Sequence, residues 1–131
     1  NKRGILINDA YNANPESMKM SLMAFQQLDK RGSKIAVLGD MLELGFSGPF
    51  WHRQLGHFLR KVPSLKRVIL VGNMVEWTKK TLPVGLPIDH VADWKQAVTC
   101  LNKCLLDDSI VFVKGSRGMQ LNKLVEEVCQ E

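Results

Sequence analysis

Five short runs of the chain are apolar at nearly every position and rich in Ile, Val and Leu: residues 4–8, 34–39, 67–72, 88–92 and 110–114. Runs of that length without polar alternation predict strands covered on both faces. Between them the apolar residues return every three or four positions. Met18, Leu22 and Phe25 share one helical face, as do Leu55, Phe58, Leu59 and Val62. The same holds for Trp94, Ala97, Val98, Leu101 and Leu105, and for Leu121, Leu124, Val125 and Val128. A shorter, weaker helix is predicted over residues 75–82, and His52 and His57 fall on the polar side of the second helix.

Strand and helix alternate throughout, so the expected fold is α/β: a Rossmann-like three-layer sandwich, with a mostly parallel sheet of about five or six strands flanked by helices. Start signals agree with the pattern. Asn14 can cap a helix that begins at Pro15, and Asp93 with Gln96 three residues later reads as a capping box. No repeat, low-complexity tract or linker divides the 131 residues, so a single domain over 1–131 is expected.

Composition narrows the function. No segment approaches the roughly twenty apolar residues of a membrane span. The formal charge of +5 suits anionic ligands. Lys and Arg are nonetheless spread over helix faces, and no basic stripe studded with aromatic residues argues for nucleic acid. Three cysteines without zinc-ribbon or Cys-x-x-Cys spacing point to a reducing, cytoplasmic setting, with Cys100 and Cys104 as packing residues of one helix. His52, His57 and His90 lack the spacing and acidic partners of a zinc site, so no metal site is expected. The chain opens directly on a strand, without Met or leader. It is read as a fragment of a longer protein, with part of any active site elsewhere.

Ligands of open parallel sheets bind beyond the carboxyl ends of the strands, which selects residues 9–15, 39–45, 72–74, 92–93 and 114–118. In the first loop Asp9 can accept from ribose hydroxyls, Tyr11 can stack, and the helix N-terminus behind Asn12, Asn14 and Pro15 favours an anion. An Asx turn is the alternative for Asp9 and Asn12. In the loop at 39–45, Asp40 and Glu43 either hold an ammonium or a magnesium-bound water or face solvent. In the last loop Lys114, Ser116 and Arg117 stand among Gly115 and Gly118, a set suited to a carboxylate or phosphate, against the alternative of a solvated glycine turn. There is no G-x-x-x-x-G-K-[ST], no G-x-G-x-x-G after the first strand and no recognisable nucleophile with its base. No catalytic residue is expected within the chain, and turnover by the isolated chain is not expected.

Three segments in order, residues 9–18 (Asp-Ala-Tyr-Asn-Ala-Asn-Pro-Glu-Ser-Met), 37–45 (Val-Leu-Gly-Asp-Met-Leu-Glu-Leu-Gly) and 113–119 (Val-Lys-Gly-Ser-Arg-Gly-Met), resemble the UDP-N-acetylmuramoyl-tripeptide:D-alanyl-D-alanine ligases of the Mur ligase family. The resemblance spans nearly the whole chain. His52-Arg53 also matches, whereas Gly48-Pro49-Phe50-Trp51 departs from the acidic, polar stretch usual there. The resemblance implies the C-terminal, acceptor-binding domain of a three-domain, ATP-dependent, cytoplasmic bacterial enzyme of peptidoglycan synthesis. Its partners would be the N-terminal and central domains, UDP-N-acetylmuramoyl-tripeptide and D-alanyl-D-alanine, with ATP and Mg2+ held mainly by the central domain. It further implies that Asp9, Tyr11, Asn12 and Asn14 meet the nucleotide, and that Asp40, Asn73, Lys114, Ser116 and Arg117 line the acceptor pocket. Within that pocket Arg117 would take the dipeptide carboxylate, and Asp40 would orient its amine or a magnesium-bound phosphate. A free-standing Rossmann-like nucleotide-binding module, an interaction domain whose loops are only turns, and a sister ligase with another amino-acid acceptor are the competing readings.

Overall fold

The computed structural model describes residues 14–27, 33–42, 44–106 and 108–129, together with the backbone of residues 5–9. Along the chain run β1 (Ile5–Asp9), α1 (Pro15–Gln26), β2 (Ser33–Gly39), α2 (Gly48–Leu59), β3 (Leu65–Val71), α3 (Val75–Lys79), β4 (Ile88–Val91), α4 (Trp94–Cys104), β5 (Ser109–Lys114) and α5 (Leu121–Val128). Each expected strand and helix is present, with strand ends moved by at most two residues and the third helix ending three residues early. The sheet has five strands, the lower of the two counts expected, in the order β1-β5-β2-β3-β4, and every pairing is parallel.

Alternation along the strands divides the core. Ala36, Leu38, Val68, Leu70, Ile110 and Phe112 face α1, α2 and α3, where they meet Met18, Leu22, Phe25, Leu55, Leu59 and Val75. The intervening Ile35, Val37, Ile69, Val71, Val111 and Val113 face α4 and α5 through Ala97, Leu101, Leu121, Leu124 and Val128. Both faces of the sheet are therefore apolar, as the unalternating runs require. Phe25 stacks on Phe112 with ring centroids 5.1 Å apart, fixing α1 over β5.

The caps act largely as read. Asn14 accepts from the Ser17 N–H at 2.9 Å and donates its own N–H to Ser17 Oγ at 3.2 Å, so α1 starts with a reciprocal box ahead of Pro15. Asp93 accepts from Gln96 N–H at 3.0 Å; Gln96 answers by accepting the Ala92 N–H, one residue upstream of the usual position. The segment Gly48-Pro49-Phe50-Trp51 forms the first turn of α2, with Pro49 where a missing N–H costs nothing.

One expectation is corrected. His57 is exposed, but His52 is completely buried and belongs to the stripe Gly48, His52, Leu55, Gly56 and Leu59, at helical spacings of three and four. It is tolerated there because both ring nitrogens are satisfied by backbone groups.

Candidate functional site at the topological switch point

β1 through β4 are connected by α1, α2 and α3 on one face; the chain then returns past β3 and β2 by way of α4 on the other face, and inserts β5 between β1 and β2. Reversing direction and changing face together keep the crossovers of one hand. The loop after β5 consequently departs towards α5 on one side, while those after its neighbours β1 and β2 depart towards α1 and α2 on the other. The crevice that opens between such loops is where ligands of open sheets bind. It brings together Asp9, Asn14, residues 39–42 and residues 114–118, with Asn73 at the end of the adjoining β3.

Two glycines let the central strands close. A Cβ on Gly115 would lie 3.1 Å from Gly39 Cα and 2.9 Å from Leu121 Cδ1, and one on Gly39 would meet Met119 at 3.0 Å. The loops are then stitched to one another. Ser116 N–H donates to Asp40 O at 3.1 Å, and Leu42 N–H donates to Ser116 Oγ at 2.8 Å.

Asp40 does not face solvent, which was one of the two readings of its loop. It is buried, and its carboxylate accepts from Asn73 N–H at 3.1 Å and from Val75 N–H at 2.9 Å, tying the end of β2 to the start of α3. Gly72 makes room for it: with φ at +116°, a Cβ there would lie 2.6 Å from the carboxylate carbon. With one backbone donor on each of its oxygens, the carboxylate braces the loops at the strand ends.

The cations separate by burial. Lys114 is 1% exposed, on the central strand between Leu38 of β2 and Asp9 of β1 in register, so it is not the solvated lysine of a glycine turn. Arg117 is exposed at the start of the short 3-10 turn Arg117–Met119, and among the described residues nothing pairs with it. Asn73 is exposed beside the crevice while its backbone is held by Asp40. Asn14 stands at the crevice too, with its side-chain oxygen committed to the cap of α1. Tyr11, Asn12 and Glu43 lie outside the described residues, and of Asp9 only its place at the end of β1 is described. No group of three His, Cys, Asp or Glu suited to a metal occurs among the described residues. Nor is any helix among them long and apolar enough to cross a membrane.

Sequence reasoning missed two contributors. His52 reaches this site from below: its Nε2 accepts from Met41 N–H at 3.0 Å, and its Nδ1–H donates to Gly48 O at 2.7 Å. Burial lowers its pKa, against opposing effects of the Gly48 carbonyl and the Asp40 charge. Its spacing from Leu55 and Leu59 was the available signal. His90, on the edge strand β4, holds Gly72 O at 2.7 Å through Nε2 and lies 3.2 Å from Glu76 through Nδ1, securing the β3 loop from its far side.

Known proteins resemble this chain over nearly its full length. The family described as "Mur ligase, glutamate ligase domain" matches residues 1–117. The UDP-N-acetylmuramoyl-tripeptide–D-alanyl-D-alanine ligase of Bacillus subtilis (strain 168) is 30% identical over 128 residues, covering 95% of this chain and 28% of that protein. The same-named ligase of Escherichia coli (strain K12) is 30% identical over 92% of this chain and 26% of its own length. Among solved structures, MurF from Acinetobacter baumannii superposes with a TM-score of 0.81 at 28% identity, over 96% of this chain and 27% of that one. The MurF ligase of Thermotoga maritima, solved in complex with ADP, gives 0.77 at 27% identity over 96% and 28%. The chain thus spans little more than a quarter of the relatives it matches.

Proposed function

The chain belongs to the Mur ligase, glutamate ligase domain family, and on that premise we propose that it is the acceptor-binding C-terminal domain of a cytoplasmic ATP-dependent ligase that joins D-alanyl-D-alanine to UDP-N-acetylmuramoyl-tripeptide. The observation that carries the reading is the switch-point crevice: loops tied to one another by backbone groups, with a guanidinium beside them that has no partner among the described residues. In such a reaction ATP activates the terminal carboxylate of the tripeptide, and the dipeptide amine then displaces phosphate to give the pentapeptide. This chain has no P-loop, and its described residues have no cation-binding cluster. Phosphate and magnesium are accordingly assigned to the domains that precede it in its relatives.

The roles left to this chain are binding, alignment and exclusion of water. Arg117 offers two parallel N–H donors to the free carboxylate of the dipeptide. Lys114 sets a positive potential at the centre of the crevice, and Ser116 and Asn73 border it; Asp40 acts through the loops it ties. On the opposite side, Asp9, Tyr11, Asn12 and the amide nitrogen of Asn14 are proposed to meet the ribose and base, above the N-terminus of α1. Closing this domain over the others would align amine and acyl carbon and keep water from the activated carboxylate.

The test is made with the full-length protein. Given ATP, magnesium and UDP-N-acetylmuramoyl-tripeptide, it is expected to release phosphate and form pentapeptide with D-alanyl-D-alanine, and to do neither with single amino acids as acceptors. The 131-residue chain alone is expected to do neither with any acceptor. Efficient ligation of a single amino acid would make it a sister ligase. ATP binding by a full-length protein that makes no amide bond would leave it a nucleotide-binding module.

A further inference from the structure

None of the roles just proposed belongs to α2, yet α2 delivers a fully buried imidazole to the β2 loop. His52 accepts the Met41 N–H at Nε2, and Nδ1 lies 2.7 Å from Gly48 O. A backbone N–H can only donate and a carbonyl can only accept, so the ring is neutral, with its proton on Nδ1. Met41 sits between the two residues that make the cross-strand ties. On one side Asp40 holds Asn73 N–H and Val75 N–H with its carboxylate and Ser116 N–H with its carbonyl. On the other, Leu42 N–H is held by Ser116 Oγ. Three consecutive residues therefore have defined partners, Asp40 and Leu42 on the Ser116 loop, Asp40 also at the start of α3 through its side chain, and Met41 between them on His52 of α2. The helix beneath it is itself anchored, since Thr78 Oγ1 of α3 donates to His52 O at 2.8 Å.

We infer that His52 is a positioning residue of the acceptor pocket: by accepting the Met41 N–H it holds residues 40–42 in the conformation from which Asp40 and Leu42 secure the Asn73 and Ser116 loops. The inference rests on the reading of that crevice as the acceptor site. An apolar residue on the same stripe would fill the space but leave a buried N–H without an acceptor.

Two isosteric replacements separate the halves of the ring. His52→Gln places an amide oxygen near Nε2 and keeps an acceptor for Met41; His52→Asn places its amide near Nδ1 and keeps only the Gly48 contact. In the full-length ligase, His52→Asn is expected to raise the KM for D-alanyl-D-alanine about tenfold while the KM for ATP stays within about twofold, and His52→Gln is expected to restore most of the loss. Equal effects on the two KM values, or equal behaviour of Asn and Gln, would overturn the inference. A second measurement needs no substitution. Nitrogen NMR of the 131-residue chain is expected to show scalar coupling across the Met41 N–H···Nε2 bond and the Nδ1-protonated tautomer. A ring protonated at Nε2 overturns the inference whether or not either variant folds. If the unsubstituted full-length protein forms no pentapeptide, the functional reading falls, and the coupling still decides whether His52 braces the loop.

Discussion

Asp40, Lys114 and Arg117 are charged residues at adjoining strand ends, and burial divides their work. Asp40 holds two backbone donors, Lys114 is enclosed on the central strand, and Arg117 is left at the surface without a described partner. On the proposed reading this guanidinium takes the ligand carboxylate. In the full-length ligase Arg117→Ala is expected to lower kcat/KM for D-alanyl-D-alanine on the order of ten- to a hundredfold, the loss of a charge-assisted contact. Arg117→Lys would recover part of that, because an ammonium keeps the charge and loses the planar fork. The dipeptide amide is the control: wild type would discriminate against it and Arg117→Ala much less, so the two defects would not add. Full additivity would move the carboxylate to Lys114. At this scale the sequence was partly legible. The residue types at the strand ends were readable from motif order, but whether a carboxylate faces a ligand or a neighbouring backbone depends on a partner 33 positions away, as with Asp40 and Asn73. His52 departs from the expectation because histidine is a polar residue type, while its helical phase sets it on the buried stripe with Leu55 and Leu59.

The secondary-structure elements were far more legible, because their signal is local. β2 and β5 contain unbroken apolar runs, residues 35–39 and 110–113, every one of them buried, and α4 and α5 carry clear stripes. What stayed hidden is how closely elements approach. Gly56 lets α2 lie against α3: a Cβ there would overlap Thr81 Oγ1 and stand 2.8 Å from Thr78 O. Gly115 performs the same service between β5 and β2 beside the crevice. Alanine at either position is expected to destabilise the fold by about 1–3 kcal/mol through overpacking, read from urea unfolding midpoints. Gly115→Ala pushes apart the strand ends that frame the pocket and is expected to raise the KM for the dipeptide in the full-length ligase. A dipeptide KM insensitive to Gly115→Ala would mean that the strand ends do not frame the acceptor.

For the molecule as a whole, a two-faced core around one parallel sheet couples the pocket to global stability, and His52 is the titratable group where that coupling can be read. In the fold its ring is neutral, accepting at Nε2 and donating at Nδ1. Burial is the largest influence and lowers its pKa below the usual 6.5, outweighing the Gly48 carbonyl and the Asp40 charge. The unfolded chain takes up this proton near pH 6.5, while the folded chain does not until lower pH. Stability contributed by the neutral ring is therefore fully present above about pH 6.5 and lost as pH falls through and below that value towards the folded pKa. The loss from this one group can be no steeper than about 1.4 kcal/mol per pH unit. Other groups titrate in the same range, so the quantity to measure is the difference in unfolding free energy between wild type and His52→Gln, in which contributions common to both cancel. From urea melts, that difference is expected to move against wild type between about pH 7 and about pH 5.5. The direction discriminates. A difference that moves in favour of wild type on acidification would mean that the folded state binds the imidazolium, and a flat difference would mean that His52 is as exposed to protons in the fold as in the unfolded chain. The first result would remove the neutral acceptor from beneath Met41.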